Sequence, residues 1–235
     1  MTLDRSVFAG ATVVFDLDGT LVESLPDLAA TLNVILNRHG LPSLDPQKVR
    51  SIIGRGARAL LTRGFEANGQ NLTSERADIL FAEFIEHYTA HIADNSFAFP
   101  GVENALDQLA VAGARLAVCT NKRTDLAVPL LKTLGLSERF AAIVGPDLAP
   151  AAKPDPRHLL TTLALAGGDP ARAIMVGDSA TDADTARAAG VPLILVTFGY
   201  TEIPAADLGA DVLIDHFDQI PAACAQILAA QVLAA

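Results

Sequence analysis

Short apolar runs recur along the chain, each closing on polar residues or glycine, and the stretches between them carry apolar residues three and four apart. The first run, Ala11-Thr12-Val13-Val14-Phe15, opens onto Asp16-Leu17-Asp18-Gly19-Thr20. Later runs are Arg115 to Cys119 before Thr120-Asn121, Ala141 to Val144 before Gly145-Pro146, Ala173 to Val176 before Gly177-Asp178, and Pro192 to Val196. Runs this short and this apolar suit strands buried on both faces of a parallel sheet. Helical spacing fills the intervals, first at Val102, Ala105, Leu106 and Leu109, then over Leu126 to Leu134, Arg157 to Ala166 and Thr181 to Ala189. Strand and helix in alternation predict βαβ crossovers, hence an α/β fold with a mainly parallel sheet covered on both sides.

The interval from Val22 to Asn95 breaks this rhythm. Pro26 to His39, Val49 to Phe65 and Thr73 to Ile92 all read as helix, and no strand is predicted among them. The pattern therefore divides the chain into a sheet-bearing core, residues 1–21 with 96–235, and an all-helical insertion, residues 22–95. Phe97-Ala98-Phe99-Pro100-Gly101 reads as the return linker, with Pro-Gly as its turn. The Ala-rich stretch from Ile220 to Ala235 predicts a last core helix. No segment supplies the roughly 18 uncharged apolar residues of a membrane span, and the N-terminal apolar patch lacks the basic start of a signal peptide. A cytoplasmic protein is expected.

Composition narrows the function classes. At 235 residues, with 51% apolar and 19% charged, the chain is long enough for a sizeable core and too apolar for intrinsic disorder. A net charge of −10, 5% aromatics and no Trp argue against nucleic acid, which needs a basic face or stacking platforms. Cys119 and Cys224 cannot form a disulfide framework and are expected to pack in the core.

Candidate chemistry clusters where the strands end, which is where an open parallel sheet binds ligands. Asp16 and Asp18 follow the first strand, Thr120 the second core strand and Asp178 the fourth, while Lys153 precedes a helix in Ala152-Lys153-Pro154-Asp155-Pro156. Clustered carboxylates, with Asp182 a further member, cannot all stay ionised unless a pKa rises or a cation enters. An all-oxygen set without His or Cys selects a hard ion, Mg²⁺ by default. Such a site takes phosphate: Lys153 adds charge, and Thr120 with backbone N–H groups adds donors. Asp16 is placed to attack phosphorus and Asp18 to act as acid and then base.

These residues resemble the signatures of the haloacid dehalogenase superfamily. Asp16-Leu17-Asp18-Gly19-Thr20-Leu21-Val22 is similar to its first motif in the phosphatase form. Val118-Cys119-Thr120-Asn121 resembles the second, Lys153-Pro154 the third and Gly177-Asp178-Ser179-Ala180-Thr181-Asp182 the fourth. The four motifs stand in order over the whole length. The resemblance implies a Rossmann-like doubly wound core with an inserted helical cap. It implies Mg²⁺ held by Asp16, Asp178 and the Asp18 carbonyl, with support from Asp182, and phosphate bound by Thr120, Asn121 and Lys153. Asp18 favours phosphatases over the metal-free dehalogenases, and the presence of only Lys48 in the cap disfavours the phosphonate-cleaving branch.

The segment Val49 to Leu61, containing Gly54-Arg55-Gly56, resembles the corresponding region of bacterial phosphoglycolate phosphatases, as does Thr120-Asn121-Lys122. A substrate with a carboxylate beside its phosphate needs a second cation, and Arg55 and Lys122 are the candidates. A small phosphorylated metabolite is thus the expected partner; the exposed cap helices also leave room for a homodimer. Sugar phosphomutases and pyrophosphatases of the same superfamily are alternatives, and a phospho-accepting or catalytically silent binding protein is the alternative outside enzymes. Among bland readings, Asp178 serves equally as a helix N-cap and Asp182 as a first-turn acid. Arg55, Arg58, Arg63 and Lys122 read also as solvated surface charges. His87 and His91, four apart, read as helix surface.

Overall fold

A computed structural model describes residues 3–53, 56–201 and 203–234. The chain opens with a short helix α1 (Arg5–Phe8) and strand β1 (Thr12–Phe15), then β2 (Val22–Glu23). Four helices follow: α2 (Leu25–Arg38), α3 (Pro46–Arg50), α4 (Ala57–Glu66) and α5 (Ser74–Ala90). After β3 (Phe97–Ala98) come α6 (Val102–Ala112), β4 (Arg115–Cys119), α7 (Thr124–Thr133), β5 (Ala142–Val144), α8 (Pro156–Leu165) and β6 (Ala173–Gly177). The chain ends with α9 (Ala180–Ala189), β7 (Leu193–Val196), β8 (Val212–Ile214) and α10 (Ile220–Ala234).

Six strands form one parallel sheet in the order β5-β4-β1-β6-β7-β8. Alternate side chains explain why these runs are apolar throughout. Val13, Phe15, Leu116, Val118, Ile174 and Val176 face the core shared with α6, α7 and α10. Val14, Ala117, Cys119, Met175 and Leu195 face the core shared with α8 and α9. Both cysteines are buried and free. From β1 the chain adds β4 and β5 on one side, then crosses back to place β6 on the other. That reversal opens a crevice at the carboxyl ends of β4, β1 and β6.

Helices α2 to α5 build a separate apolar cluster from Leu32, Ile35, Leu36, Leu61, Phe65, Leu80 and Phe84, and two residues of the core, Leu126 of α7 and Tyr200 beyond β7, join it. Asp27 on α2 fastens the returning linker by accepting from the Asn95 amide at 3.0 Å and the Ser96 amide at 2.8 Å.

Three expectations need correction. The two linkers pair as β2 and β3, antiparallel at Val22↔Ala98 and Glu23↔Phe97, so a strand does stand at the edge of the helical interval. Two residues are too few for a period to show. The helix expected over Val49 to Phe65 is two helices. Asp45 caps α3 by accepting from the Gln47 amide at 2.8 Å, and α4 starts afresh after Gly56 at φ 84°. The sixth strand, β8, lies beyond the predicted set because Val212-Leu213-Ile214 is a three-residue run between acids. Among the described residues, no helix is long and apolar enough to cross a membrane.

Candidate active site

The amide of Asp16 continues the β1 ladder one residue past the strand by donating to the Val176 carbonyl at 2.9 Å. Its carboxylate is thereby fixed beside the end of β6. Lys153 reaches in with its ammonium 2.9 Å from Asp16 Oδ1 and 2.7 Å from Asp182 Oδ1, its side chain 1% exposed. Burial works against that charge, but Asp16 and Asp182 outweigh it and raise the Lys153 pKa. The backbone of Lys153 is pinned too. Its amide is shared between Asn121 Oδ1 at 2.9 Å and His158 Nδ1 at 3.1 Å, and its carbonyl accepts from Asn121 Nδ2 at 3.1 Å.

Asp182 sits in the first turn of α9 and gathers the orphan donors of the helix start. Its Oδ2 accepts from the Asp178 amide at 3.2 Å, the Ser179 amide at 3.1 Å and the Ser179 hydroxyl at 2.8 Å. The N-cap is therefore Ser179, and the Asp178 carboxylate is free of the helix start. Asp178 accepts from the Thr20 hydroxyl at 3.1 Å and the Tyr200 amide at 2.6 Å. Gly19, at φ 85°, leaves no space for a side chain: a methyl group there would lie 2.6 Å from Asp178 Oδ2.

Ligand oxygens of Asp16, Asp178 and Asp182 all lie within 4.8 Å of one another. Burial, more than any neighbour, lifts Asp16 to about 6 despite Lys153. Burial, then Asp182 and Asp16, raises Asp178 well above the usual carboxylate range. Three carboxylates against one ammonium leave two negative charges, the amount one divalent cation neutralises. A buried, all-oxygen cluster with this surplus fits a hard divalent ion. Among the described residues no other such cluster of His, Cys, Asp and Glu is formed. His87 bonds Thr31 at 3.3 Å and His91 pairs with Asp94 at 2.7 Å, as helix-surface residues would.

Asp18 lies on the other side of the turn. It accepts from the Ser24 hydroxyl at 2.6 Å and from the Lys122 ammonium at 3.0 Å. Lys122 is buried, with its ammonium 4.6 Å from the centre of the Tyr88 ring. Its pKa is raised: burial opposes the charge, and Asp18 and Tyr88 outweigh burial. Lys122 is thus no solvated surface cation. The Thr120 hydroxyl accepts from the Lys122 amide at 3.1 Å, which orients this strand end.

A cavity of about 510 Å³ opens over these groups. Asp16, Asp18, Thr120, Asn121, Lys122 and Lys153 line its polar end, and Leu28, Leu60, Phe81 and Ile85 of the helical insertion line its apolar wall. Arg58 also reaches the cavity, paired at 2.5 Å with Asp78. Arg55, expected to read the substrate, and its neighbour Gly54 lie outside the described residues.

Several contributors carry no motif. His158, fully buried, bridges the Lys153 amide and the Val144 carbonyl, with 3.1 Å from its Nε2 to that oxygen. Tyr200 donates to Asp178, and Ser24 and Tyr88 flank the Asp18–Lys122 pair. Tyr200 and Tyr88 have partners distant in sequence, and His158 and Ser24, though five and six residues from Lys153 and Asp18, stand outside the motifs.

The model of the haloacid dehalogenase-like hydrolase family matches residues 13–196. A phosphoglycolate phosphatase of Caulobacter vibrioides is 54% identical over 219 residues, covering 93% of this chain and 92% of that protein. A phosphoglycolate phosphatase of Mesorhizobium japonicum is 43% identical, covering 92% of this chain and 95% of that protein. Among solved structures, a predicted phosphoglycolate phosphatase from Haemophilus somnus 129pt superposes with a TM-score of 0.84 at 33% identity, covering 89% of this chain and 96% of that one.

Proposed function

Since the chain belongs to the haloacid dehalogenase-like hydrolases, we propose that it is a Mg²⁺-dependent phosphomonoesterase that hydrolyses 2-phosphoglycolate through a phosphoenzyme on Asp16. The observation that carries the reading is the Asp16, Asp178 and Asp182 cluster with Lys153 between two of its members. The substrate rests on relatives such as the phosphoglycolate phosphatase of Caulobacter vibrioides, 54% identical.

In this reading Asp16 and Asp178, with the Asp18 carbonyl, hold Mg²⁺, and Asp182 supports them. Bound there, the ion offsets phosphoryl charge and screens it from the attacking carboxylate. Lys153, Thr120 and Asn121 bind the phosphoryl oxygens. An oxygen of Asp16 forms a bond to phosphorus as the bond to the glycolate oxygen breaks, and Asp18 delivers a proton to that leaving oxygen. Asp18 then takes the proton from a water attacking the same phosphorus; the bond to Asp16 breaks and phosphate departs. Residues 22–95 act as a cap that excludes bulk water and selects the leaving group. Lys122 and Arg55 read the glycolate carboxylate, which for Lys122 means sharing its ammonium with Asp18. A small metabolic substrate supports a cytoplasmic location.

The test is phosphate release from phosphoglycolate, sugar phosphates, pyrophosphate and nucleotides at equal concentration, with Mg²⁺ and with EDTA. Phosphoglycolate should exceed every other compound by about tenfold or more, a margin of about 1.4 kcal/mol in transition-state binding. EDTA should abolish release, and Asp16→Asn should be silent. Release from another compound would move the substrate while keeping the mechanism. No release from any compound would overturn the hydrolase reading.

A further inference from the structure

One loop joins the carboxylate cluster to the helical insertion. It follows β7 and runs through Phe198, Gly199 and Tyr200. At its core end the Tyr200 amide donates to Asp178 Oδ2 at 2.6 Å, and Gly199 is pressed so closely that a methyl group there would lie 2.2 Å from Asp178 Cβ. At its other end the Tyr200 ring enters the apolar cluster of the insertion. Its hydroxyl is fully engaged: the amides of Ser24 and Leu25 donate to it at 2.9 Å and 3.0 Å, and it donates to Glu23. Those two amides belong to the start of α2, where the chain leaves the sheet layer for the insertion. Ser24 in turn donates from its hydroxyl to Asp18. A single residue thus bonds a candidate metal ligand through its backbone and caps the first helix of the insertion through its side chain.

Arg50, the last residue of α3, braces this loop from above. Its Nη2 donates to the Phe198 carbonyl at 2.6 Å and the Gly199 carbonyl at 3.0 Å. Its Nη1 lies 3.6 Å from Glu23, and the guanidinium stands 5.1 Å from the centre of the Tyr200 ring. One nitrogen of the planar guanidinium serves both carbonyls while the other faces Glu23, an arrangement that a single ammonium cannot reproduce. The Gly199 carbonyl and the Tyr200 amide belong to one peptide group, so Arg50 holds from one side the group that Asp178 holds from the other.

We infer that Arg50 is a positioning residue: by clamping Phe198 and Gly199 from the insertion it aims the Tyr200 amide at Asp178 and couples seating of the helical cap to the metal site. The inference rests on the reading of Asp178 as a Mg²⁺ ligand. The coupling is reciprocal, because an effect of cap seating on cation affinity implies an equal effect of the cation on cap seating. Outer partners that orient a ligand typically change metal affinity by about 10–100-fold when removed. Acting one residue further out, Arg50 belongs at the low end of that range.

Calorimetric titration of the substrate-free enzyme with Mg²⁺ tests this without catalysis. Arg50→Gln should weaken binding by about tenfold, with Arg50→Lys in between because it keeps the charge but cannot serve the two carbonyls and Glu23 from separate nitrogens. Amide exchange followed by mass spectrometry adds the second readout. Mg²⁺ should slow exchange at Ser24 and Leu25 in the wild type, and this slowing should vanish in Arg50→Gln and in Tyr200→Phe. A cap that was merely loosened would raise the substrate KM at saturating Mg²⁺ and leave cation binding unchanged; that result overturns the inference. If Arg50→Gln does not melt cooperatively, Arg50→Lys alone decides by the same criterion. A wild type that fails to bind Mg²⁺ marks the failure of the metal-site reading itself, whereas normal binding in both variants refutes only the coupling.

Discussion

Lys153 is positioned from both of its ends. Its ammonium is held between two carboxylates, and its amide is fixed by Asn121 and His158. Burial, then the Lys153 charge, lowers the His158 pKa to about 4, so the ring is neutral at working pH. Neutrality is required, because Nδ1 accepts from the Lys153 amide while Nε2 donates to Val144. A folded pKa depressed below the ordinary value of 6.5 contributes stability that is present above pH 6.5 and lost as pH falls through about 4. His158→Gln can keep both bonds without a proton to gain, so the stability it shows relative to wild type should rise as pH falls over that window in chemical denaturation. An unchanged difference from pH 7 to pH 4 would remove His158 from this role. The residue scale also shows what the sequence could and could not reveal. Asp16, Asp18, Thr120 and Asp178 were legible because each closes an apolar run. His158 and Tyr200 were not, because they bond the backbones of Lys153 and Val144, and of Ser24 and Leu25, and a main chain that accepts such a bond constrains no residue type and so leaves no motif.

At the scale of elements, the alternation of strand and helix was readable because a sheet buried on both faces tolerates few polar residues. The linkers were not, since β2 and β3 have two residues each and α3 is divided from α4 within a continuous apolar pattern. The loop after β7 is a further case. Its close approach to β6 is visible only in three dimensions, and glycine at 199 is what permits it. Gly199→Ala should push Asp178 or the loop aside and weaken Mg²⁺ binding by about tenfold or more, in the range found for lost ligand support. Gly190→Ala is the control. It ends α9 at φ 66° in open space, so it bears only left-handed strain of about 1–2 kcal/mol. A fall in melting temperature of about 2–8 °C follows for a chain of this size, with Mg²⁺ binding intact. Equal losses of cation affinity in both variants would show that strain anywhere near α9 suffices, and that the contact of Gly199 with Asp178 is not special.

Across the whole molecule, a net charge of −10 and a substrate that is itself an anion are reconciled only if the sign of the field reverses at the site. The folded chain concentrates Asp16, Asp178 and Asp182 in one buried place with a single ammonium among them. Burial raises Asp16 to about 6 and Asp178 well above the ordinary value of 3.8. A carboxyl raised on folding contributes stability that is fully present below its unfolded pKa and lost as pH rises through the folded one. The metal-free protein should therefore lose stability from this cluster as pH climbs from about 4 through 6 and beyond, as protons leave acids that folding has crowded. Mg²⁺ binds the ionised form, so protons and cation compete, and each unit of pH below a ligand's pKa weakens the apparent affinity by about tenfold. At a hundredfold excess over its dissociation constant, a ligand of the native state adds about 2.7 kcal/mol. In a chain of this length that is a rise of about 5–10 °C in melting temperature. Thermal melts at fixed Mg²⁺ should show a rise of this size at pH 8 that shrinks steadily towards pH 5, and Asp178→Asn should flatten the dependence. A rise independent of pH, or one that survives in Asp178→Asn, would mean that the cation acts elsewhere on an acidic surface and that the cluster is neutralised by its own protons.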